Sequence, residues 1–201
     1  GDYNLLTLPP EIGQLANLKF LNLCENRLTD LPAEIGLLTN LTHLILGGNR
    51  LVELPQEIVR LTNLTSLVLG YNQLTSLPSE IFQLTNLTSL AFGNYQLNEL
   101  PPKIVQLTEL TSLDPWGDML TSLDPLVLQV WTVFGPPGNQ LTELPSEICK
   151  LTNLKSLYLG EAHMTALPPE IGQLTNLISL DLKNNQLTAL PPEIVQLTSL
   201  T

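Results

Sequence analysis

Residues 54–76 read LPQEIVRLTNLTSLVLGYNQLTS, and their apolar positions keep two rhythms. Leu54, Ile58, Leu61 and Leu64 are spaced by 4, 3 and 3, the stripe of a helix-like turn, whereas Leu67 and Leu69 are spaced by 2, a strand with one face inward. The unit is therefore a short strand plus a helical or 3-10 return. Pro55 suits the first helical position, where no N–H is needed, and Glu57 favours the positive end of the turn. Asn72 follows the strand, where its amide can bond backbone groups of a tight turn and of the adjacent coil.

Outward from this unit the phrase recurs. Leu-Pro opens at Leu8, Leu31, Leu54, Leu77 and Leu100 in steps of 23, and again at Leu144, Leu167 and Leu190. Between the two runs Leu123 keeps the period but is followed by Asp124-Pro125, and the next unit is two residues short (144 − 123 = 21). A fixed period of roughly 20 to 50 residues marks a solenoid, because one unit cannot bury its apolar face alone. The reading is an α/β solenoid, a single domain over 1–201 with units starting near 8, 31, 54, 77, 100, 123, 144, 167 and 190 and an irregular unit over 113–139. Gly1 to Thr7 aligns with Gly70 to Ser76, so the chain begins inside a unit, and raw solenoid ends expose core leucines. The expectation is a fragment of a longer protein, or self-association through uncapped ends.

The pattern LxxLxLxxNxL at Leu18–Leu28, Leu41–Leu51, Leu64–Leu74 and Leu177–Leu187 resembles the leucine-rich repeat family. With the LPxEIxxL return it is most similar to the Ras-group-related and bacterial Roco-type repeats. The resemblance implies a right-handed horseshoe with a parallel concave β-sheet and short helical or 3-10 convex returns. For function it implies a non-catalytic protein–protein interaction module that binds its partner on the concave face. Two other readings stand beside it. One is a structural or engineered scaffold without an evolved partner, favoured by the near-identical units; the other is the sensor part of a larger signalling enzyme, a GTPase or ubiquitin ligase, which such repeats accompany.

Charge narrows the partner. The net charge is −11, from 19 acidic and 8 basic residues, which argues against nucleic acid and against an anionic membrane surface, since both require a basic footprint. Much of the acidity has a structural cause, because Glu11, Glu34, Glu57, Glu80, Glu147, Glu170 and Glu193 occupy one slot at the start of the return. No apolar run reaches the length of a membrane span, and the start GDYN lacks a signal-peptide pattern. The two cysteines, Cys24 and Cys149, lie about five units apart, some 25 Å at sheet spacing, too far for a disulfide. Without cysteine-rich caps the expected compartment is the cytoplasm. Asn40-Leu41-Thr42, Asn63-Leu64-Thr65 and Asn86-Leu87-Thr88 match a glycosylation acceptor, but the repeat spells LTNLT for its own reasons.

No phosphate loop, zinc-type spacing or nucleophile elbow is present, so neither an enzyme nor a cofactor is expected. Glu161, His163 and Asp181 form a weak three-ligand set on an open face, and Asp114, Asp118 and Asp124 lack the alternating spacing of a calcium loop, so no metal is expected either.

Side-chain alternation assigns the concave rows. The first is Phe20, His43, Ser66, Ser89, Ser112, Ser156 and Ser179; the second is Asn22, Ile45, Val68, Ala91, Asp114, Tyr158 and Asp181; the third is Cys24, Gly47, Gly70, Gly93, Trp116, Gly160 and Lys183. Over Leu113 to Asn139 the pattern fails, with Pro115 and Pro136 where strands should run and Trp116, Met119, Trp131 and Phe134 close by. Proline cannot donate to a ladder, so the sheet is expected to be interrupted at Pro115 and around Pro136. The stretch is a degenerate repeat whose aromatics fill core positions, or an interaction anchor, or a misassigned stretch of sequence. Taken as an anchor, it places the binding site at Tyr71, Asn94, Asp114, Trp116, Tyr158, Glu161, His163, Asp181 and Lys183, and their carboxylates favour a partner with a basic or polar surface.

Overall fold

The computed structural model describes residues 4–74, 77–93, 101–114, 142–160 and 162–201. Seven three-residue strands lie side by side in chain order: β1 Phe20–Asn22, β2 His43–Ile45, β3 Ser66–Val68, β4 Ser89–Ala91, β5 Ser112–Asp114, β6 Ser156–Tyr158 and β7 Ser179–Asp181. All pairs are parallel, and Leu21, Leu44, Leu67 and Leu90 stand in successive register. Period 23 thus returns each strand to the same place beside its predecessor.

Between strands the chain crosses back through five-residue 3-10 turns, eight of them among the described residues: Pro10–Gln14, Ala33–Leu37, Gln56–Arg60, Ser79–Gln83, Pro102–Gln106, Ser146–Lys150, Pro169–Gln173 and Pro192–Gln196. The proline of Leu-Pro sits one residue earlier than the sequence suggested. Pro55 is the N-cap, extended at φ −64° and ψ 143°, and its carbonyl accepts the Ile58 N–H at 3.0 Å. The ring fixes φ and the missing N–H is not needed there, so proline serves the entry to the turn as well as its first residue. Glu57 does lie in the first turn. The returns pack tightly: a Cβ on Gly36 would stand 2.5 Å from the Glu57 carbonyl oxygen, closer than any side chain tolerates.

Inside, the strand leucines and the return leucines form one continuous core. Leu44, Leu46, Leu67, Leu69, Leu157 and Leu159 are fully buried, and Leu23 nearly so. Leu21, Leu180 and Leu182 face the same way but stay half-buried, because β1 and β7 have a neighbour on one side only.

Two ladders of asparagine run across the coils. The Asn49 Nδ2 donates to Leu23 O at 2.8 Å in the preceding coil and to Leu46 O at 2.9 Å in its own, while its Oδ1 accepts the Leu28 N–H at 3.0 Å. Asn72 and Asn185 repeat the arrangement on Leu46 and Leu159 of their preceding coils. The second ladder is the asparagine of LTNLT: Asn40, Asn63, Asn86, Asn153 and Asn176 each donate to a carbonyl of the coil before, at 2.8–2.9 Å. Beside it the Thr65, Thr88 and Thr111 hydroxyls each bond the carbonyl one unit back. The three acceptor-like triplets are therefore parts of the scaffold.

Pro115, where an interruption was expected, lies outside the described residues. β5 and β6 remain hydrogen-bonded neighbours, although the register keeps two pairs, Ser112 with Ser156 and Leu113 with Leu157, where other strands keep three. Leu69 and Leu159 each donate their N–H to the next strand at this height, and a proline at 115 has none to give. Pro136 and Leu123 lie outside the described residues.

Two substitutions test this account by chemical denaturation. Leu69→Ala removes a fully buried side chain and is expected to cost about 2–5 kcal/mol. Asn49→Ala leaves the Leu28 N–H buried without its acceptor and is expected to cost about 1–3 kcal/mol, whereas Asn40→Ala, at an exposed rung, costs less.

Candidate binding face

On the outer side of the sheet, opposite the leucine core, a second apolar cluster joins Ile45, Val68 and Ala91, with Phe20, Cys24 and Tyr71 packed against it. These are the second-row residues of β2, β3 and β4. They are at most 2 % exposed, so apolar side chains fill this half of the face. Phe20 leans on His43 with ring centroids 5.7 Å apart, and the His43 Nδ1 lies 2.9 Å from the Thr42 hydroxyl. Three consecutive apolar residues in one concave row carried this signal, which row-by-row reading for bulky or charged groups passed over.

Tyr71 sits at the edge of that cluster, half-buried, with φ +60°. Glu25, Gly48 and Asn184 occupy the same slot in their coils with φ between 51° and 69°. After four of the described strands the coil thus demands a left-handed turn, met by glycine at 48 and against side-chain sterics at 25 and 71.

The remaining described candidates gather further along the sheet. Asp114 ends β5 and is buried, as is Tyr158 at the end of β6. Tyr158 is the register partner of Asp181 on β7. Asp181 accepts the Lys183 N–H at 2.9 Å and faces the Lys183 Nζ at 3.9 Å, so carboxylate and ammonium lie together. Asn22 holds the Cys24 N–H at 3.0 Å in the same way on β1. His163 is exposed, its Nδ1 3.1 Å from the Gln186 amide. The candidates therefore fall into two groups, Tyr71 over β2–β4 and Tyr158, Asp181 and Lys183 at β6–β7, with Asp114 between; Asn94, Trp116 and Glu161 lie outside the described residues.

No group of three or more His, Cys, Asp or Glu side chains among the described residues is arranged to hold a metal ion. Both cysteines are free thiols. Burial pushes the Cys24 thiol up to about 11, helped by the Glu25 carboxylate, and the Cys149 thiol up to about 12, helped by Glu170 and Glu147. Burial thus disfavours the thiolate at both positions. No helix among the described residues is long and apolar enough to cross a membrane.

Solved structures share this architecture. A leucine-rich repeat protein of Leptospira interrogans is 40% identical and superposes with a TM-score of 0.75, over 98% of this chain and 51% of that one. The leucine-rich repeat domain of the type III effector XopL is 32% identical, with a TM-score of 0.74, over 98% of this chain and 64% of that one. The plant peptide hormone receptor RGFR1, solved in complex with RGF2, is 29% identical, with a TM-score of 0.69, over 97% of this chain and 33% of that one. The chain thus spans about half the length of the Leptospira protein. No curated protein matches it. The family described as leucine-rich repeat region matches residues 8–74 and 127–201. The chain belongs to the leucine-rich repeat family.

Proposed function

We propose that the chain is a non-catalytic recognition module that binds a protein or peptide partner on the concave face of its sheet. One observation carries this reading. The middle residue of every described strand is leucine, from Leu21 to Leu180, and seven of the eight described turns carry the glutamate, but the second concave row holds six residue types in the seven described strands. Positions the fold does not dictate are where binding chemistry can be written. The complexed peptide hormone receptor among the structural neighbours supports a peptide-like partner.

Its chemistry follows from the polar half of the face. Asp181 and Lys183 already neutralise each other in part, so the net acidity of the chain, −11, favours a basic or polar partner through long-range attraction more than through one fixed pair. A reducing compartment such as the cytoplasm suits two free thiols.

The test compares surfaces. A partner captured with the intact chain is titrated against Trp116→Ala, Tyr71→Ala and the Asp181→Ala, Lys183→Ala double variant, with convex Glu80→Gln as control. Concave substitutions are expected to weaken binding by at least about 1 kcal/mol each, with an on-rate that falls as salt rises. Affinity that survives all of them and is lost in Glu80→Gln would place the site on the convex side.

A further inference from the structure

We infer that β5 and β6 belong to consecutive units of the array, so that 21 of the residues between them are surplus to the 23-residue period. The inference stands apart from any reading of the partner.

Its first support is the contact between coils. Lys155 and Ser156 both donate their N–H to Thr111 O, at 2.8 and 3.0 Å, as Thr42 and His43 do to Lys19 O. The Asn153 amide reaches Thr108 O at 2.8 Å across 45 residues, where Asn63 reaches Thr39 O at 2.9 Å across 24. The surplus is 45 − 24 = 21 residues. By every inter-coil bond, β6 is the immediate successor of β5.

A second support comes from the other end of the same coil. Glu143 bridges Ala166, and the Thr165 N–H bonds Thr142 O at 3.3 Å, so Thr142 and Glu143 close the coil that β5 opens. From Val68 to Thr75 a regular coil takes 7 residues, and from Asp114 to Thr142 this one takes 28. The surplus is again 21.

The sequence then locates the join. Running Gly117 on to Asn139 gives SLDPWG-NQLTELP, which matches HLILGGNRLVELP of residues 43–55 in its strand leucine, its turn glycine, its ladder asparagine and its Leu-Pro. With 21 residues set aside, Leu100 and Leu144 stand 44 − 21 = 23 apart, and the two-residue shortfall after Leu123 disappears. The surplus, DMLTSLDPLVLQVWTVFGPPG, contains Trp131 and Phe134, while Trp116 precedes it in the sequence.

Two experiments test the inference on different grounds. In the full chain, Ser112→Cys with Ser156→Cys is expected to form an intramolecular disulfide on mild oxidation, since the two are register partners on neighbouring strands, and Ser89→Cys with Ser156→Cys is expected to form none. Failure of the first pair under conditions where Ser89→Cys with Ser112→Cys does cross-link would overturn the inference, because it would put another strand between β5 and β6. Separately, the chain lacking residues 118–138 is expected to stay monodisperse, with an unchanged far-ultraviolet circular dichroism spectrum and a Tm no lower than the parent's. A deletion chain that unfolds or loses several degrees would show that the stretch is part of the array.

Discussion

No coil of this chain can satisfy its own backbone. Each described strand is three residues long and has no hydrogen-bond partner within itself, so its N–H and carbonyl groups pair one unit away, while the five-residue returns close only local bonds such as Ile58 N–H to Pro55 O. The Asn49 amide makes the dependence explicit, since it spans carbonyls of two coils and caps an N–H of the earlier one. Everything else in the fold is arranged around keeping those distances. The leucine rows fill the space between sheet and returns, the threonine and asparagine rungs bind the outer edge of each coil to the last, and glycine at 36 lets two returns touch.

That constraint leaves the concave face as the place where side chains are free to vary, and it sets the terms on which they do. Row-two residues are separated by one strand spacing, so apolar neighbours such as Ile45, Val68 and Ala91 cohere into a cluster of their own. The left-handed turn described after β1, β2, β3 and β7 is imposed by the path of the coil, and Glu25 and Tyr71 accept it at some conformational cost. At both outer strands a short polar residue, Asn22 or Asp181, folds back on the backbone two residues on, which fixes the edge of the face.

Much of this was legible in the sequence because the repeat states each requirement several times over at one period. Leu67 and Leu69 announce the inward strand face, Asn72 the ladder, Glu57 the start of the turn. Other features were not legible, for definable reasons. Pro55 satisfies the sterics of two adjacent positions, so composition could not choose between cap and first turn. The asparagine of LTNLT looked like a by-product of the repeat, since its partner is a carbonyl 24 residues earlier that no local pattern reveals. The pairing of Asp181 with Lys183 needed the turn geometry that brings them to 3.9 Å.

By itself, then, the sequence determined the period, the strand with one face inward, a short helical or 3-10 return and the leucine core, because each depends on spacing within one unit and on its repetition. Only the tertiary structure decided which strand follows which. Leu123 keeps the period on paper, yet Ser112 pairs with Ser156 across 44 residues, since a ladder is chosen by the hydrogen bonds and apolar burial available between neighbouring coils and not by the count of residues that connects them. The same holds for the concave row: its residue types are written in the chain, but which of them are buried and which remain open, Val68 against Lys183, is settled by what each coil packs upon.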